Sequence, residues 1–254
     1  MNRFKKKHIL VGDIGNTESK IFFRNNKMEK KIIIKSNEMI YSKIKSKVLF
    51  LKKFNIKDKA VFCSVVPSNF KIIKKVFERE LKIKIIELKN IYKNKIIILK
   101  VDKKQIGSDR LANAISVFNK KNNFIVVDFG TATTFDVVGQ RGVYLGGVIA
   151  PGVNLSINAL HSAAARLPRI AITKQEEVIG KNTVSAMSSG IYWGYIGLIK
   201  NILHKIKSEL NYKMLVLATG GLSDLFINEV SEDIIVNKDL TITGLFIAYE
   251  EGKY

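Results

Sequence analysis

The amino-acid sequence predicts an α/β protein made of two similar halves, and two observations support this prediction. Short apolar, strand-like segments alternate with longer segments of helical periodicity, which is typical of sheets flanked by helices. In addition, an Asp-x-Gly turn follows the first strand of each half, at residues 13–15 and 128–130. A motif that recurs at the same structural position indicates a duplicated fold.

The predicted first half begins with an antiparallel meander of three strands, because a polar turn separates the first two. Pro67 and Ser68 mark the start of a later helix. We predict strands at residues 8–11, 20–23, 31–35, 60–65 and 83–88, and helices at residues 38–54, 69–81 and 108–118.

The second half repeats this order after a polar connector at residues 120–123. We predict strands at residues 124–128, 133–138, 144–149 and 214–218, and helices at residues 153–164, 184–210 and 243–250. Because no low-complexity linker divides the chain, we expect two tightly apposed domains, residues 1–120 and 121–254, with a cleft between them.

The composition excludes several classes of protein. The 254 residues are 46% hydrophobic, which suffices for a buried core. The apolar runs are far shorter than the roughly 20 residues of a membrane-spanning helix, so we predict no membrane span. Cys63 is the only cysteine, so an intramolecular disulfide is impossible and a cytoplasmic location is expected.

The formal net charge of +21 raises the question of a nucleic-acid partner. The lysines are spread along the whole chain rather than gathered in one stripe, which indicates a compositional bias and solvated surfaces. Charge patterning alone specifies no partner, so nucleic acid is not the expected ligand.

Each Asp-x-Gly turn has the chemistry of a phosphate-binding hairpin. A carboxylate stands at the end of a strand, and the glycine lets backbone N–H groups approach a phosphate. One such turn is also typical of an ordinary hairpin, whereas two copies in matching positions are more specific. We expect Asp13 to face a magnesium ion and Thr131 the phosphate chain; the Gly-Lys-Ser/Thr of a P-loop is absent from the sequence.

A second motif, Gly107, Ser108, Asp109 and Arg110, opens a predicted helix. Amides at a helix N-terminus favour an anion, Arg110 can bind a carboxylate through two hydrogen bonds, and Asp109 could accept the proton of an attacking hydroxyl. On its own, the same motif also fits a helix cap followed by a surface charge.

A glycine pair, Gly220 and Gly221, ends a predicted strand after Thr219. The pair fits either a flat surface for adenine or an ordinary strand-to-helix connection, and both interpretations stay open. Pro151 with Gly152 fits a tight bend that serves only the fold.

The order of these motifs resembles the signature of type III pantothenate kinases. The resemblance runs from Asp13 to the last predicted helix, and the order and spacing of the motifs make it specific. The matching motifs are Asp-Ile-Gly-Asn-Thr at 13–17, Ser-Val-Val-Pro at 64–67, Gly-Ser-Asp-Arg-Leu-Ala-Asn at 107–113, Asp-Phe-Gly-Thr-Ala-Thr at 128–133, Gly-Gly-Val-Ile-Ala-Pro-Gly at 146–152, Ile-Gly-Lys-Asn-Thr at 179–183 and Thr-Gly-Gly at 219–221.

The resemblance implies a duplicated actin-like, ribonuclease H-like ATPase fold, in which two similar domains surround an ATP cleft, and it implies a homodimer. It also implies an ATP-dependent kinase that phosphorylates pantothenate to 4′-phosphopantothenate in the first step of coenzyme A biosynthesis.

Site residues follow from matching motif positions. Asp109 is the implied proton acceptor, Asp128 the ligand of a monovalent cation, potassium or ammonium, and Thr183 a residue that reaches pantothenate across the dimer. The implied pantothenate site consists of Gly107, Ser108, Asp109 and Arg110, together with Thr183. The implied ATP site consists of Thr131 and the first hairpin, namely Asp13, Ile14, Gly15, Asn16, Thr17, Glu18, Ser19 and Lys20.

In the resulting hypothesis, magnesium and the hairpin amides position the γ-phosphate while Asp109 deprotonates pantothenate and Arg110 holds its carboxylate. The chain departs from the family pattern at Asp102 and Lys103, where Asn-Pro is usual in a loop that helps shape the substrate pocket. Two alternatives stay open: another small-molecule kinase of the same superfamily, and a non-catalytic transcriptional accessory factor of the same family that binds DNA through its positive charge.

Overall fold

The structure, a computed structural model, describes residues 8–25, 27–54, 56, 59–92, 97–118, 121–164, 166–231 and 233–251. These residues form two compact units. Of the described residues, the first unit contains those up to Phe118, Gly142–Tyr144 and those from Leu240 onward. The second unit contains those between Phe118 and Gly142 and those of Leu145–Asp239. Residue 120 of the predicted connector lies outside the described residues.

The first unit contains a five-stranded mixed sheet. Its strands are β1 (Ile9–Ile14), β2 (Glu18–Arg24), β3 (Glu29–Lys35), β4 (Ala60–Ser64) and β5 (Ile85–Glu87), in the order β3-β2-β1-β4-β5. β1, β2 and β3 pair antiparallel in sequence, whereas β4 runs parallel to β1 and β5 parallel to β4. The predicted three-stranded meander is therefore confirmed.

The helices of the first unit are α1 (Tyr41–Val48), α2 (Pro67–Val76), α3 (Leu88–Ile91) and α4 (Ser108–Ser116). A short strand, β6 (Ile98–Leu99), pairs parallel with Val143 and Tyr144. The helix predicted at residues 38–54 is wrong in its extent, because Ile40 has an extended backbone that separates a 3-10 turn at Ser36–Glu38 from α1, and a second 3-10 turn follows at Leu49–Phe54. α2 begins at Pro67, in the first turn where a proline is tolerated.

The core of the first unit lies on one face of its sheet. Strand residues such as Ile21, Phe23 and Phe62 belong to this core and pack against Ile44 of α1 and Phe77, which follows α2. The period-two pattern of β3 and the helical period of α1 and α2 place apolar side chains on this core, whereas β4 is buried on both faces from Ala60 to Cys63.

The last helix of the chain, α8 (Leu240–Glu251), belongs to the first unit and packs against α4. Gly244 makes this contact close, because a β-carbon at this position would overlap the backbone carbonyl of Ala112. Beside it, the buried Thr241 hydroxyl donates a hydrogen bond of 2.8 Å to Asn113 Oδ1. The predicted division at residues 120 and 121 stays a prediction; in the structure the final helix groups with the N-terminal strands.

The second unit is built on strands β7 (Asn123–Phe129), β8 (Ala132–Gly139), β9 (Val143–Pro151), β10 (Met214–Gly220) and β11 (Ile235–Val236), of which β9 belongs to this unit from Leu145 onward. They lie in the order β11-β10-β7-β8-β9. β7 and β8 pair antiparallel, and β10 runs parallel to both β7 and β11. Helices α5 (Val153–Ala163), α6 (Thr183–Leu210) and α7 (Ser223–Val230) complete the unit.

The predicted α/β class is confirmed, and the long elements of the second unit lie where the sequence predicts them. The sequence prediction missed α3, β6, α7 and β11. Three of these are only two to four residues long, so their periodicity is too short to read without the partner strand or helix. None of the helices among the described residues combines the length and apolar character that crossing a membrane requires.

Two helix-interior glycines provide a test of the contact between α4 and α8: Gly244 of α8 lies in the contact, and Gly197 of α6 is the control. Alanine favours a helix interior over glycine by about 1 kcal/mol, so Gly197→Ala, which adds a β-carbon with no atom within 4 Å, should raise the free energy of unfolding. Gly244→Ala should instead lower it by about 1–3 kcal/mol, because the new methyl overlaps backbone and the helices must separate. Urea denaturation followed by circular dichroism measures both; equal stabilisation by the two substitutions would contradict the close contact.

Candidate functional site

The first predicted phosphate-binding turn is a hairpin between β1 and β2. Asp13 pairs with Lys20 and Ile14 with Ser19, and the turn closes with a backbone hydrogen bond of 3.1 Å from Gly15 N–H to the Glu18 carbonyl. Asn16 and Thr17 stand exposed at its tip. All eight residues predicted to bind ATP in this half therefore lie in one continuous hairpin.

Two contacts hold this hairpin in place. The Ser36 hydroxyl donates to the Thr17 carbonyl at 2.7 Å and also to the carbonyl of Asn16. On the strand side, the Cys63 thiol donates to Asp13 Oδ1 at 3.3 Å. Ser36 thus fixes the backbone of the tip, and the exposed side chains of Asn16 and Thr17 are hydrogen-bond donors that a phosphate could reach.

The second predicted turn has the same construction in the second unit. β7 and β8 pair Asp128 with Thr134 and Phe129 with Thr133, and Gly130 N–H donates to the Ala132 carbonyl at 3.1 Å. Thr131 stands exposed at the tip and Asp128 is half-buried. The repeated Asp-x-Gly motif thus corresponds to two antiparallel hairpins, in which the turn after the last paired residues has four residues in the first hairpin and three in the second.

A further repeat between the hairpins was missed in the sequence. Ser19 lies opposite the residue that follows Asp13, and Thr133 lies opposite the residue that follows Asp128. Both side chains are fully buried, and within the described part of the chain neither hydroxyl has a hydrogen-bond partner. The signal was present as a hydroxyl residue five or six positions after each aspartate.

Glycines pack closely around the second turn. A β-carbon on Gly152 would overlap the carbonyls of Thr131 and Gly130, and one on Gly220 would lie 2.6 Å from the Phe129 carbonyl. Gly220 also has φ of +94°, a conformation that favours glycine. Gly152 therefore serves more than a bend, since its missing side chain makes room for the turn that carries Thr131.

The two glycines after Thr219 have different surroundings. Gly220 is required by backbone conformation and by its neighbour Phe129, whereas a β-carbon on Gly221 would meet no atom within 4 Å. Thr219 pairs with Asp128 across the parallel strands and is buried. The ordinary-connection interpretation thus accounts for Gly220, and the open space at Gly221 keeps the adenine interpretation possible.

The predicted acceptor loop forms the first turn of α4. Gly107 is the N-cap residue, and Leu111 N–H donates to its carbonyl at 3.0 Å. The Asp109 carboxylate folds back over Gly107, where it accepts a hydrogen bond of 2.8 Å from Arg110 N–H. A β-carbon on Gly107 would collide with Asp109 Oδ1, so this glycine leaves room for the carboxylate.

Burial dominates the electrostatics of this loop. It raises the pKa of Asp109 above its usual value, although the N–H and the charge of Arg110 oppose the rise. Burial also raises the pKa of the Cys63 thiol, and nearby Asp13, Asp109 and Glu87 raise it further. Asp13 and Asp109, which are far apart in the sequence, thus both raise the pKa of the same thiol of the first unit.

The described residues contain no group of three or more histidine, cysteine or acidic side chains that could hold a metal ion. Asp13 and Asp128 are single carboxylates at equivalent positions of the two hairpins. This donor set fits a cation that takes one or two carboxylates from protein and its other ligands from phosphate oxygens and water, as magnesium does.

Thr183 lies in another part of the second unit. It is the first residue of α6, where Asn182 and Ser185 form a capping box. It lines a surface pocket of about 710 Å³ together with Leu160, Leu167, Gly180, Lys181, Asn182, Ala186, Met187, Gly190 and Ile191. Neither Asp128 nor Thr131 is among the described lining residues.

Comparison with protein families gives one match over most of the chain. The model of the family described as Type III pantothenate kinase matches residues 9–205. A protein named Type III pantothenate kinase from Pelagibacter ubique (strain HTCC1062) is 48% identical over 246 residues, which cover 94% of this chain and 98% of that protein. One of the same name from Ruegeria pomeroyi is 54% identical over 150 residues, 58% of each chain.

Solved structures give a similarity of fold. Ethanolamine utilization protein EutJ from Carboxydothermus hydrogenoformans has a TM-score of 0.52 at 15% identity and covers 98% of this chain and 91% of its own. Glucokinase from an Antarctic psychrotroph has a TM-score of 0.53 at 8% identity and covers 98% of this chain and 100% of its own. At such identities the likeness concerns the fold alone, and it confirms the predicted actin-like ATPase fold.

The neighbouring glycines 220 and 221 make a matched pair of substitutions. Gly220→Ala should lower the free energy of unfolding by about 2–4 kcal/mol, because it combines a strained positive φ with overlap on Phe129. Gly221→Ala should change it by less than about 1 kcal/mol. The single tryptophan, Trp193 of α6, reports unfolding of this unit by fluorescence. A loss of equal size in both variants would contradict the distinction.

Proposed function

Because this chain belongs to the type III pantothenate kinase family, we propose that it transfers the γ-phosphoryl group of ATP to the primary hydroxyl of pantothenate, giving 4′-phosphopantothenate and ADP. This reaction is the first step of coenzyme A biosynthesis. The observation that carries the proposal is the similarity over 94% of the chain, which includes the whole Gly107, Ser108, Asp109 and Arg110 motif.

Asp109 is the proposed proton acceptor. Its carboxylate is held by Arg110 N–H at 2.8 Å and lies over Gly107, so its orientation does not depend on substrate. A general base must be ionised, and burial opposes ionisation, which brings the pKa of Asp109 closer to the working pH than that of an exposed aspartate. The proton leaves the hydroxyl of pantothenate for Asp109 as the oxygen attacks the γ-phosphorus.

Arg110 and the start of α4 are the proposed anchors of pantothenate. The positive end of the helix dipole and a guanidinium both favour the carboxylate of pantothenate over a neutral sugar. The alignment of hydroxyl and phosphate that these anchors provide is the main requirement of phosphoryl transfer.

The two hairpins are the proposed ATP site. In the first, the exposed Asn16 and Thr17 can donate to phosphate oxygens, and in the second Thr131 occupies the tip. Gly221, with open space above its backbone, is the proposed support for adenine. The side chains of Ser19 and Thr133 are fully buried, so in this proposal they affect ATP binding through the conformation of the turn and not by contact with ATP.

Asp13 would hold magnesium, and Asp128 would hold a monovalent cation, potassium or ammonium. As single carboxylates, both suit ions that phosphate oxygens and water also coordinate. Bound magnesium would supply neutralisation of the negative charge on the phosphates. The cytoplasmic location expected from the single cysteine stays a prediction.

A homodimer is the proposed assembly, with Thr183 reaching the pantothenate of the partner subunit. The surroundings of Thr183 support it, because several large apolar side chains there are exposed to solvent. They are Leu160, Val178, Ile179 and Val184, and Ile179 is 82% exposed. Apolar surface of this kind is typical of a protein interface.

An assay of ADP release tests the proposed function. ADP should form in the presence of ATP, magnesium and pantothenate, should not form with hexoses in place of pantothenate, and should form faster with potassium or ammonium than with neither. No pantothenate-dependent ADP would defeat the proposal. ADP release with a hexose would favour another kinase of the superfamily, and salt-sensitive DNA binding without turnover would favour the accessory factor.

Asp109→Asn tests the base directly. Turnover should fall by about 10²–10⁴-fold while ATP affinity stays unchanged, because the amide cannot accept the proton. The exposed Asp233→Asn is the matched control and should retain wild-type turnover. Near-normal turnover of Asp109→Asn would remove Asp109 from the role of base.

The pH dependence has a defined sign. Because burial raises the pKa of Asp109, kcat/KM of the wild type should decline on acidification at a pH above 3.8, the usual value for aspartate. The same shift means that ionisation of Asp109 opposes folding as pH rises through the folded-state pKa. Asp109→Asn should therefore be at least as stable as the wild type at pH 8; lower stability there would contradict the raised pKa.

A further inference from the structure

The acceptor loop is joined to residues 87–92, which comprise the end of β5 and the segment that follows it, by hydrogen bonds of four side chains. The Ser108 hydroxyl donates to Glu87 Oε1. Lys89 Nζ donates to the carbonyls of Lys104 at 2.8 Å and Ile106 at 2.7 Å. In the opposite direction, Lys103 Nζ donates to the carbonyl of Tyr92 at 2.7 Å. Residues 87–92 thus support the chain from residue 103 to residue 108.

Glu87 is the member of this set that bonds directly to the acceptor motif. It ends β5, where it pairs with Phe62 of β4, and it is half-buried. A half-buried carboxylate needs hydrogen-bond donors, and Ser108, which is only 3% exposed, supplies one beside the backbone N–H groups of Lys89 and Asn90. Ser108 is the first residue of α4 and immediately precedes Asp109, so a hydrogen bond of its hydroxyl restrains the start of the first turn.

Contacts with α8 already hold the middle of α4 in place. Asn113 accepts the hydrogen bond from Thr241, and Ala112 lies against Gly244. These contacts hold the middle of α4 but lie one turn away from Asp109. Orientation of the first turn therefore requires a second, separate contact, which Glu87 provides.

The loop contact also bears on the departure at Asp102 and Lys103. The Asp102 side chain accepts the N–H of Lys104 at 2.8 Å, and the Asp102 carbonyl accepts that of Gln105 at 3.0 Å, so these residues form a local turn. Lys103 ties this turn to Tyr92. The turn that leads into Gly107 is thus stabilised by side chains of this chain in place of the proline that is usual in the family.

We propose that Glu87 is a positioning residue for the phosphorylation of pantothenate: its carboxylate holds Ser108 and thereby sets the orientation of Asp109 and Arg110. The inference rests on the proposed function for its kinetic consequence. Glu87 does not touch the reacting atoms; it acts through the hydrogen bond to Ser108. A displacement of about 1 Å at a catalytic group can cost about 100-fold in rate, which sets the size of the expected effect.

Four variants test the proposal. Glu87→Ala and Ser108→Ala should each lower kcat about 10- to 100-fold, with KM for ATP unchanged within about twofold. The double variant should be no slower than the slower single one, because both remove the same hydrogen bond. Glu87→Gln should retain kcat within about threefold, since the amide oxygen still accepts from Ser108. Glu78→Ala is the matched control and should behave as the wild type, because the Glu78 side chain is 39% exposed and forms only an ion pair on the surface of the helix with Lys74.

Hydrogen exchange supplies a readout that needs no substrate. The Leu111 amide bonds to the Gly107 carbonyl at 3.0 Å, so a loosened first turn in Glu87→Ala should speed its exchange, while Glu78→Ala should not. If the wild type releases no pantothenate-dependent ADP, the proposed function fails, and faster Leu111 exchange would still support the positioning by Glu87.

Three results would overturn the positioning role. The first is unchanged kcat or unchanged Leu111 exchange in Glu87→Ala. The second is a Glu87→Gln variant as slow as Glu87→Ala, which would assign the effect to charge rather than to the hydrogen bond. The third is multiplicative loss in the double variant. Should Glu87→Ala not fold, Ser108→Ala and Glu87→Gln decide the same question through kcat and exchange.

Discussion

The close contact between α4 and α8 is the constraint on which the proposed acceptor site depends. At Gly244 the contact is made by backbone without an intervening side chain, and the buried Thr241 hydroxyl bonds to Asn113 beside it. Packed interiors deform little, so α4 cannot slide along α8 without losing this hydrogen bond. Asp109 and Arg110 are therefore presented by a helix whose axis is fixed, and only its first turn needs further support.

Different local contacts support the two hairpins. In the first, Ser36 holds the tip carbonyls and Cys63 contacts Asp13. In the second, the absence of side chains at Gly152 and Gly220 lets neighbouring backbone approach the turn. What the hairpins share is the aspartate at the strand end and a buried hydroxyl opposite the following residue. The two copies therefore retain the aspartate and the buried hydroxyl, and they differ in turn length and in the residues that contact the turn.

The electrostatics of the first unit contrast with the composition of the chain. The protein carries a formal charge of +21, yet three carboxylates, those of Asp13, Asp109 and Glu87, raise the pKa of one buried thiol, that of Cys63. Lysines on solvated surfaces raise the local concentration of anions such as ATP and pantothenate without binding them specifically. Specific chemistry is left to a few half-buried carboxylates, whose ionisation is governed by burial and by single hydrogen bonds.

The sequence by itself determined the α/β class, the strand meanders, and the positions of both Asp-x-Gly turns and of the Gly107 motif, because these depend on short-range periodicity and turn chemistry. Only the tertiary structure decided that the segment from residue 38 to residue 54 breaks at Ile40, that α8 joins α4, and that Glu87 bonds to Ser108. The last two contacts join residues 128 and 21 positions apart. A periodic pattern reports which face of an element is apolar, but not which distant side chain completes a buried hydrogen bond.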